Sequence, residues 1–327
     1  MGAPTPDHTA VIAAPGTGLR YGRVTGYLRH DPVRFGPRRG RVRRWLYAAV
    51  GGTTEDGTTV VAGAAVARLG PVVVAFAYAT VGERTLTFEA RGTVSSARTV
   101  GPTPREGASF HRRDARLELA GDGALDLWAA TPQGLLEVRG RTAIDVLPVV
   151  LVTATSGGGW NVTEKAAGTA ASLELAIGGE QVLVPDASGW RDWTAGRQDR
   201  RTTWRWAAGA GRATDGARVG LNASTGMNGV AEGEDLLWVD GHPRPLRLDT
   251  LAPADEDALA GPWYVRGSGT QLDLSPLGQR SRREQLGPIV SEYTQPIGRW
   301  HGTVPAGGDD TLEVELVGVA EDHRAVW

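Results

Sequence analysis

The chain has 327 residues, a formal net charge of −2, 46 glycines, 19 prolines and no cysteine. This length predicts about two domains, and the missing cysteine excludes disulfides, thiolate nucleophiles and cysteine-ligated metal centres. The charge gives no electrostatic argument for binding nucleic acid. The six histidines lack the paired spacing of a metal site, and no dinucleotide or phosphate-loop motif is present, so we expect no cofactor.

Residues 1–20 are rich in proline, glycine, threonine and alanine, which predicts a peripheral lead-in. They lack a charged segment followed by a long apolar one, so no signal peptide is expected. The longest apolar runs, Val72–Ala79 and Val146–Val152, fall far short of the ~20 residues that span a bilayer. We therefore expect a soluble, cytoplasmic protein with no membrane span.

From Trp45 onward, short β-branched or alternating runs follow one another, separated by glycine, proline or Asp-Gly turns. This spacing predicts an antiparallel meander, with hairpin turns at Gly178-Gly179 and Asp240-Gly241. Only Ala254–Ala260 resembles a helical turn. Because so many strands must close or stack to protect their edges, we expect an all-β chain of barrels or sandwiches with few or no helices.

Three consecutive glycines at Ser156–Gly159 offer the best boundary between two domains of similar size. Glycines tolerate almost any backbone path and contribute no packing side chain. We therefore predict an N-terminal β domain at residues 1–156 and a C-terminal β domain at residues 157–327.

The segment WRDWTAGRQDRRTTWRWAAGAG, residues 190–211, crowds four of the eleven tryptophans beside two aspartates and five arginines. In a strand, Trp204 and Trp206 share one face and form an aromatic wall. That wall could be core, or it could stack on a ligand and stabilise a cation through the ring faces. Asp192 is a candidate proton donor, and Trp193 and Arg200 are candidate ligand contacts; buried Asp-Arg pairs that brace a loop are the alternative.

The closing segment GVAEDHRAVW contains Glu321, Asp322 and His323. In a strand, Glu321 and His323 share one face and Asp322 faces away. Burial would raise the pKa of Glu321, so we expect it to donate a proton, with His323 as the relay and Asp322 as a further ligand contact. A terminal polar turn fixed by ion pairs is the alternative.

Lys165 is the only lysine among 35 Lys and Arg residues. Codon usage that favours arginine explains why arginine outnumbers lysine, but it does not explain why one lysine remains. A buried lysine can lose its proton whereas arginine cannot, so Lys165 is a candidate for binding a carbonyl oxygen, or else occupies a tight steric niche.

Several motifs, in order along nearly the whole chain, resemble the bacterial family known as domain of unknown function 2804. They are RVRRWLYAAV (41–50), TEKAAG (163–168), DWTAGRQDRRTTWRWAAGAG (192–211), VGLNASTG (219–226), DLLWVDG (235–241), YTQPIGRWHG (293–302) and GVAEDHRAVW (318–327). Asp235 stands where this resemblance leads us to expect Asn.

The chain also resembles, more distantly, the hydroxyneurosporene synthase type of carotenoid hydratase, tocopherol cyclase and some fungal Diels-Alderases. This resemblance implies two tandem lipocalin-like β domains, an apolar ligand between or within them, and chemistry without a bound cofactor. It rests on architecture and on the style of the C-terminal acidic-aromatic segment.

Three functions remain open from the sequence. The first is a cofactor-independent hydratase, cyclase or isomerase that acts on a largely apolar small molecule. The second is a non-catalytic carrier or sensor of a hydrophobic ligand. The third is a carbohydrate-binding or carbohydrate-active protein, since tryptophans beside carboxylates also suit sugars.

Overall fold

The computed structural model describes residues 9–13, 18–37, 41–226, 233–286, 289–307 and 310–326. Two three-residue 3-10 helices, η1 (Pro32–Arg34) and η2 (Pro104–Glu106), accompany the strands. The strands are β1 (Gly22–Thr25), β2 (Arg43–Thr53), β3 (Thr59–Leu69), β4 (Val72–Val81), β5 (Arg84–Thr93), β6 (Arg98–Val100), β7 (Ala108–Arg112), β8 (Ala115–Leu119), β9 (Ala124–Thr131), β10 (Gly134–Thr142), β11 (Val149–Ala154), β12 (Trp160–Ile177), β13 (Glu180–Arg197), β14 (Arg201–Ala213), β15 (Arg218–Thr225), β16 (Leu236–Val239), β17 (His242–Pro245), β18 (Leu248–Pro253), β19 (Trp263–Gly267), β20 (Thr270–Leu286), β21 (Ile289–Gly307) and β22 (Asp310–Val326).

The strands form two antiparallel sheets that curl into barrel-like units, which confirms the predicted all-β fold. The first sheet contains β1–β13, with β2, β13 and β12 as neighbours at its centre. The second contains β14–β22, with β14, β22 and β21 as neighbours. No helix in the described ranges is long and apolar enough to cross a membrane.

Buried side chains form three layers, one inside each sheet and one between them. Leu46 and Trp193 belong to the core of the first sheet, and Trp300 belongs to the core of the second. Tyr47 and Trp206 belong to the layer between the sheets. Alternation along a strand explains this arrangement, because adjacent residues such as Leu46 and Tyr47 point to opposite faces.

The predicted hairpin turns are confirmed. Gly178 and Gly179 connect β12 to β13, and both have positive φ, of 60° and 93°. Asp240 and Gly241 connect β16 to β17 with φ of 48° and 80°. Two residues of positive φ match the right-handed twist of the flanking strands.

Two other expectations, on the lead-in and on a helical turn, need correction. Ala10 and Ile12 are buried in the first sheet's core, so the lead-in is not wholly peripheral; residues 1–8 and 14–17 lie outside the described ranges. Ala254–Ala260 forms bends and turns rather than a helical turn. Ser156–Gly159 lies in the hairpin between β11 and β12 of one sheet, and the chain changes sheets after Arg197. The domain division at residue 156 stays a prediction.

The backbones of the two sheets come into contact at a pair of glycines. Gly168 lies at a register shift of β12 with φ of 82°, and a Cβ there would be 3.0 Å from the backbone nitrogen of Gly220 on β15. A Cβ on Gly220 would be 2.3 Å from the carbonyl carbon of Ala167. The backbones of β12 and β15 are therefore in direct contact here. A residue larger than glycine at either position would force them apart.

Replacing Gly220 by alanine should destabilise the fold by about 3 kcal/mol or more, because the added methyl group separates the sheets. Gly216→Ala is the matched control: Gly216 has φ of 90° but nothing within 4 Å of its Cβ position, so its cost is only backbone strain of about 1 to 2 kcal/mol. Urea denaturation measures both. Equal losses would contradict the close contact between the sheets.

Candidate functional site

A pocket of about 150 Å³, called here the site pocket, lies between the two sheets. Aromatic and aliphatic side chains form most of its wall, and a few charged groups interrupt it. It is lined by Trp45, Tyr47, Ala65, Ala67, Leu69, Phe76, Asn161, Lys165, Asp192, Thr194, Trp204, Trp206, Ser224, Glu234, Arg280, Gln295, Glu321 and His323.

The wall from the second sheet is built by cross-strand pairs. Antiparallel pairing of β14 with β22 places Trp206 opposite Glu321 and Trp204 opposite His323. All four side chains therefore share one face, as their spacing predicts. Two indole rings come from one strand, and the carboxylate and imidazole come from its neighbour.

Glu321 is buried and surrounded by donors. Trp204 Nε1 donates to Oε1 at 2.9 Å, Gln295 Nε2 donates to Oε2 at 2.7 Å, and Arg280 Nη2 lies 3.4 Å from Oε2. Burial raises the pKa of this carboxyl, but the hydrogen bond and charge of His323, the charge of Arg280 and the Trp204 hydrogen bond together lower it. The expected raised pKa of Glu321 is therefore wrong: the group is an ionised carboxylate at neutral pH.

His323 is held on three sides. Its Nδ1 lies 3.3 Å from Glu321 Oε1, and its Nε2 lies 3.1 Å from Ser291 Oγ. Its ring stacks on Trp204 with centroids 4.0 Å apart and an interplanar angle of 30°. These three contacts fix the orientation of the imidazole ring in the pocket wall.

The wall from the first sheet is centred on Lys165. Its Nζ lies 2.7 Å from Asp192 Oδ2 and 3.1 Å from Glu234 Oε2, and its side chain is 6% exposed. Burial lowers the pKa of this amine, but the charges of Asp192 and Glu234 outweigh burial and raise it. Lys165 therefore stays a cation. Two carboxylates contact the ammonium, which also lies 5.8 Å from the ring centroid of Trp206.

Asp192 pairs with Lys165 across β12 and β13. Its Oδ1 accepts hydrogen bonds from Thr194 Oγ1 at 3.0 Å and Thr163 Oγ1 at 3.2 Å, and Trp45 Nε1 lies 3.4 Å from Oδ2. These donors fix the carboxylate in place, so its geometry is set before any ligand binds.

Arg280 contributes a second buried cation. Its guanidinium lies 3.4 Å from the ring centroid of Phe76 and 4.4 Å from that of Tyr293. Its Nη1 is 3.6 Å from Glu89 Oε1 but has no hydrogen-bond partner. Stacking between two rings holds the group at the pocket wall, and its Nη1 has an ion-pair partner but no hydrogen bond.

Six of the residues predicted from sequence converge in the site pocket: Glu321, Asp192, His323, Trp204, Trp206 and Lys165. Three do not line it. Trp193 faces the first sheet's core, where its Nε1 donates to Gly101 O at 3.4 Å. Asp322 faces away and pairs with Arg205 at 3.0 Å. Arg200 is exposed between β13 and β14.

Sequence reasoning missed Glu234, Arg280, Gln295 and Tyr47. Glu234 and Arg280 occur in ordinary charged segments. No local sequence pattern predicts which residues of the other sheet they face. Tyr47 alternates with Trp45, a signal that pointed to a strand but not to a pocket. Among the described residues, no group of three or more His, Cys, Asp or Glu side chains could hold a metal ion.

The sequence model of the family described as domain of unknown function (DUF2804) matches residues 19–327. The chain belongs to this family. The predicted membership is thus confirmed. Comparison with functionally curated proteins finds no significant match.

Two solved structures are similar to this DUF2804 protein. One, from Nitrosomonas europaea and provisionally described as AttH, has 12% identity and a TM-score of 0.52, and the match covers 94% of this chain and 98% of that one. The other, kievitone hydratase from Nectria haematococca, has 11% identity and a TM-score of 0.49, with 86% and 88% covered. At such identity the first likeness shows the fold alone.

Asp235, where an asparagine was expected, sits beside the pocket. Its Oδ1 accepts a hydrogen bond from the backbone nitrogen of Ser224 at 2.8 Å. Burial raises its pKa to about 6, with the charge of Glu234 adding to the effect and the Ser224 bond and Arg23 opposing it.

Asp235→Asn should stabilise the protein above pH 6. The native carboxyl keeps its proton longer than the unfolded one, so wild-type stability falls as pH rises from about 4 to about 6 and then levels off. The change in pKa from 3.8 to about 6 corresponds to a gain of about 3 kcal/mol at most. Urea denaturation between pH 4 and 8 measures it.

Asp249→Asn, at an exposed position, is the control and should change the free energy of unfolding by less than about 0.5 kcal/mol. An Asp235→Asn protein that is no more stable than wild type at pH 7 would contradict the raised pKa.

Proposed function

We propose that the chain binds a largely apolar small molecule in the site pocket and catalyses a proton-transfer reaction on it without a cofactor, as a hydratase, cyclase or isomerase. The observation that carries the proposal is the convergence of one carboxylate-imidazole pair and one carboxylate-bound lysine on a pocket walled by aromatic rings. A layer that served only as hydrophobic core would not require two sets of buried ions on opposing sheets.

The aromatic wall supports an apolar substrate and a cationic intermediate. Trp204, Trp206, Tyr47 and Phe76 present ring surface to the pocket, and Trp206 and Tyr47 meet edge to face at 5.2 Å. Ring faces stabilise positive charge by about 0.5 to 2 kcal/mol each when water is excluded. Such a wall suits an alkene that becomes cationic when it is protonated.

The pair of His323 and Glu321 supplies the acid-base function. Because the pKa of Glu321 is lowered, the proposal takes His323, rather than the carboxyl, as the proton donor. In a hydration, His323 gives this proton to one alkene carbon, and water oxygen bonds to the other. The added water then loses one of its protons to Glu321, and Glu321 passes that proton to His323. The protein therefore ends in its starting state, and no electrons are exchanged.

Lys165 and Arg280 orient the substrate. Both cations line the pocket, and in this proposal each donates to an oxygen on the substrate, such as a carbonyl or hydroxyl group. A substrate with an apolar body and at least one oxygen therefore fits the pocket better than a pure hydrocarbon.

Native mass spectrometry of protein purified from its own host, followed by extraction and identification of the bound compound, is the first experiment. A polyene, an isoprenoid or an acyl compound would support the proposal and provide a substrate. An empty protein that gains sugar adducts on screening would instead favour the carbohydrate function. A cytoplasmic location stays a prediction, which fractionation of the same cells tests.

With that compound as substrate, Glu321→Gln should lower kcat by about 100-fold or more, the usual contribution of a positioned acid-base group. Its Kd should change little, because Gln has nearly the same shape. Glu313→Gln, an exposed change on the same strand, is the matched control and should retain full activity. Stopped assays by chromatography measure the product, and equilibrium binding measures the Kd.

The outcomes separate an enzyme from a carrier. Tight binding with no product from the wild-type protein, and binding unaffected by Glu321→Gln, would establish the carrier or sensor function. Full turnover by a protein carrying both Glu321→Gln and Asp192→Asn would eliminate the proposed chemistry.

A further inference from the structure

Two buried tyrosine hydroxyls form a pair at the site pocket. The hydroxyl oxygens of Tyr47 on β2 and Tyr78 on β4 lie 2.6 Å apart, which is the distance of a good O–H···O hydrogen bond. Tyr47 lines the site pocket and is 4% exposed, whereas Tyr78 has no exposed surface and is not part of that lining. One member of the pair therefore belongs to the pocket wall, and the other lies behind it.

Packing fixes both rings. Antiparallel pairing of β3 with β4 places Gly63 opposite Tyr78, and a Cβ on Gly63 would be 2.7 Å from both Cζ and Oη of that tyrosine. The phenol of Tyr78 therefore lies directly over the glycine. The ring of Tyr47 meets Trp206 edge to face at 5.2 Å and Phe76 at 6.2 Å. Both hydroxyl positions are thus set before a ligand enters.

The pair has one hydroxyl proton more than its own hydrogen bond uses. Burial is the largest cause that raises the pKa of Tyr47 and of Tyr78 above the ordinary value, so both hydroxyls keep their protons at neutral pH. The contact between them uses one of the two protons. Within the part of the chain that the structure describes, neither hydroxyl has another hydrogen-bond partner. One O–H group of the pair is therefore a donor without an acceptor.

The site pocket is the place where that donor can find an acceptor. If Tyr47 donates to Tyr78, the remaining proton belongs to a residue outside the lining, and a buried O–H group without a partner costs free energy. If Tyr78 donates to Tyr47, the remaining proton belongs to the residue in the pocket wall, where a ligand oxygen can accept it. The hydrogen bond from Tyr78 also polarises the Tyr47 hydroxyl and makes it a stronger donor.

The charges of the lining argue against an anionic ligand. Three carboxylates and two permanent cations line the site pocket, namely Asp192, Glu234, Glu321, Lys165 and Arg280. Even a protonated His323 would only balance the carboxylates, so the wall has no surplus positive charge for an anion. Both permanent cations already contact carboxylates. The hydroxyl of Tyr47 is a neutral donor, and a neutral acceptor suits it.

We propose that the substrate is a neutral carbonyl compound whose oxygen accepts a hydrogen bond from Tyr47, with Tyr78 as a positioning residue behind it. This inference rests on the proposed function, because it names the class of molecule that the site pocket takes. The apolar body of the substrate contacts the aromatic wall. A carbonyl oxygen accepts a hydrogen bond without adding another donor proton to the pocket.

Ligand-observed NMR with the full-length protein tests the proposal, with cyclohexanone and methylenecyclohexane as probes. The two molecules have nearly the same shape, and only the ketone has an acceptor oxygen. Both are close in size to benzene, which a cavity of ~150 Å³ holds. Tyr47→Phe should weaken cyclohexanone binding by about fivefold and change the Kd of methylenecyclohexane by less than about twofold. Equal losses for both probes, or unchanged cyclohexanone binding, would overturn the proposal.

The carbonyl resonance of bound ¹³C-labelled cyclohexanone shows which tyrosine donates. It should lie downfield in the wild-type protein relative to Tyr47→Phe, because a hydrogen bond to the oxygen deshields the carbonyl carbon. Tyr78→Phe keeps the donor and removes its support, so it should retain the downfield resonance and weaken binding by only about twofold. Loss of the downfield resonance in Tyr78→Phe but not in Tyr47→Phe would overturn the assignment. Tyr21→Phe, at an exposed position outside the lining, is the matched control and should have no effect.

A charged probe tests the neutral class. Cyclohexanecarboxylate is expected not to bind in the site pocket, since three carboxylates line it. Tighter binding of this anion than of cyclohexanone, with the tighter binding lost in Tyr47→Phe, would overturn the inference.

The inference and the proposed function fail separately. A protein that binds cyclohexanone through Tyr47 but converts no compound from its host retains the carbonyl site and loses the catalytic proposal. A protein that converts its host compound with the same kcat and KM in Tyr47→Phe as in wild type retains the catalytic proposal and loses this inference.

Discussion

The pairing of β12 with β13 and of β13 with β2 is the constraint on which the rest of the molecule depends. The central parts of these three strands are buried on both faces, so their residues alternate between the core of the first sheet and the layer between the sheets. Leu46 and Trp193 fill one layer, and Tyr47 and Trp190 fill the other. A slip of one residue in register would exchange the two layers and move Lys165 and Asp192 out of the site pocket.

This double burial explains why the charges occur in matched sets. An isolated buried ion costs several kcal/mol, and only partners in good geometry compensate. Lys165 has two carboxylates, Glu164 has an arginine and a backbone N–H, and Glu321 has a group of donors. A lysine suits the first position, because a compact ammonium fits between two carboxylates where a planar guanidinium would need a wider gap.

Sequence predicted those features that depend on alternation within one strand. The shared face of Trp204 and Trp206, and of Glu321 and His323, follows from a period of two residues. By the same rule, Trp193 and Asp192 point to opposite faces and cannot line one pocket. Trp193 was predicted as a ligand contact because it lies in the tryptophan-rich segment, not because of its position on the strand. The partners Glu234 and Arg280 depend on contacts between distant strands, which no local pattern specifies.

The direction of the pKa of Glu321 shows a further limit of local reasoning. Burial alone predicts a raised value, which suits a proton donor. The largest lowering effect comes from His323, two residues along the same strand, and Arg280 on β20 and Trp204 on β14 add to it. Arg280 and Trp204 reach the carboxyl only through the pairing of separate strands, so their part in lowering its pKa has no local signal in the sequence. Close packing of the sheets through Gly168 and Gly220 is also a condition for the site pocket, since it holds the Lys165 wall against the aromatic wall that carries Glu321 and His323.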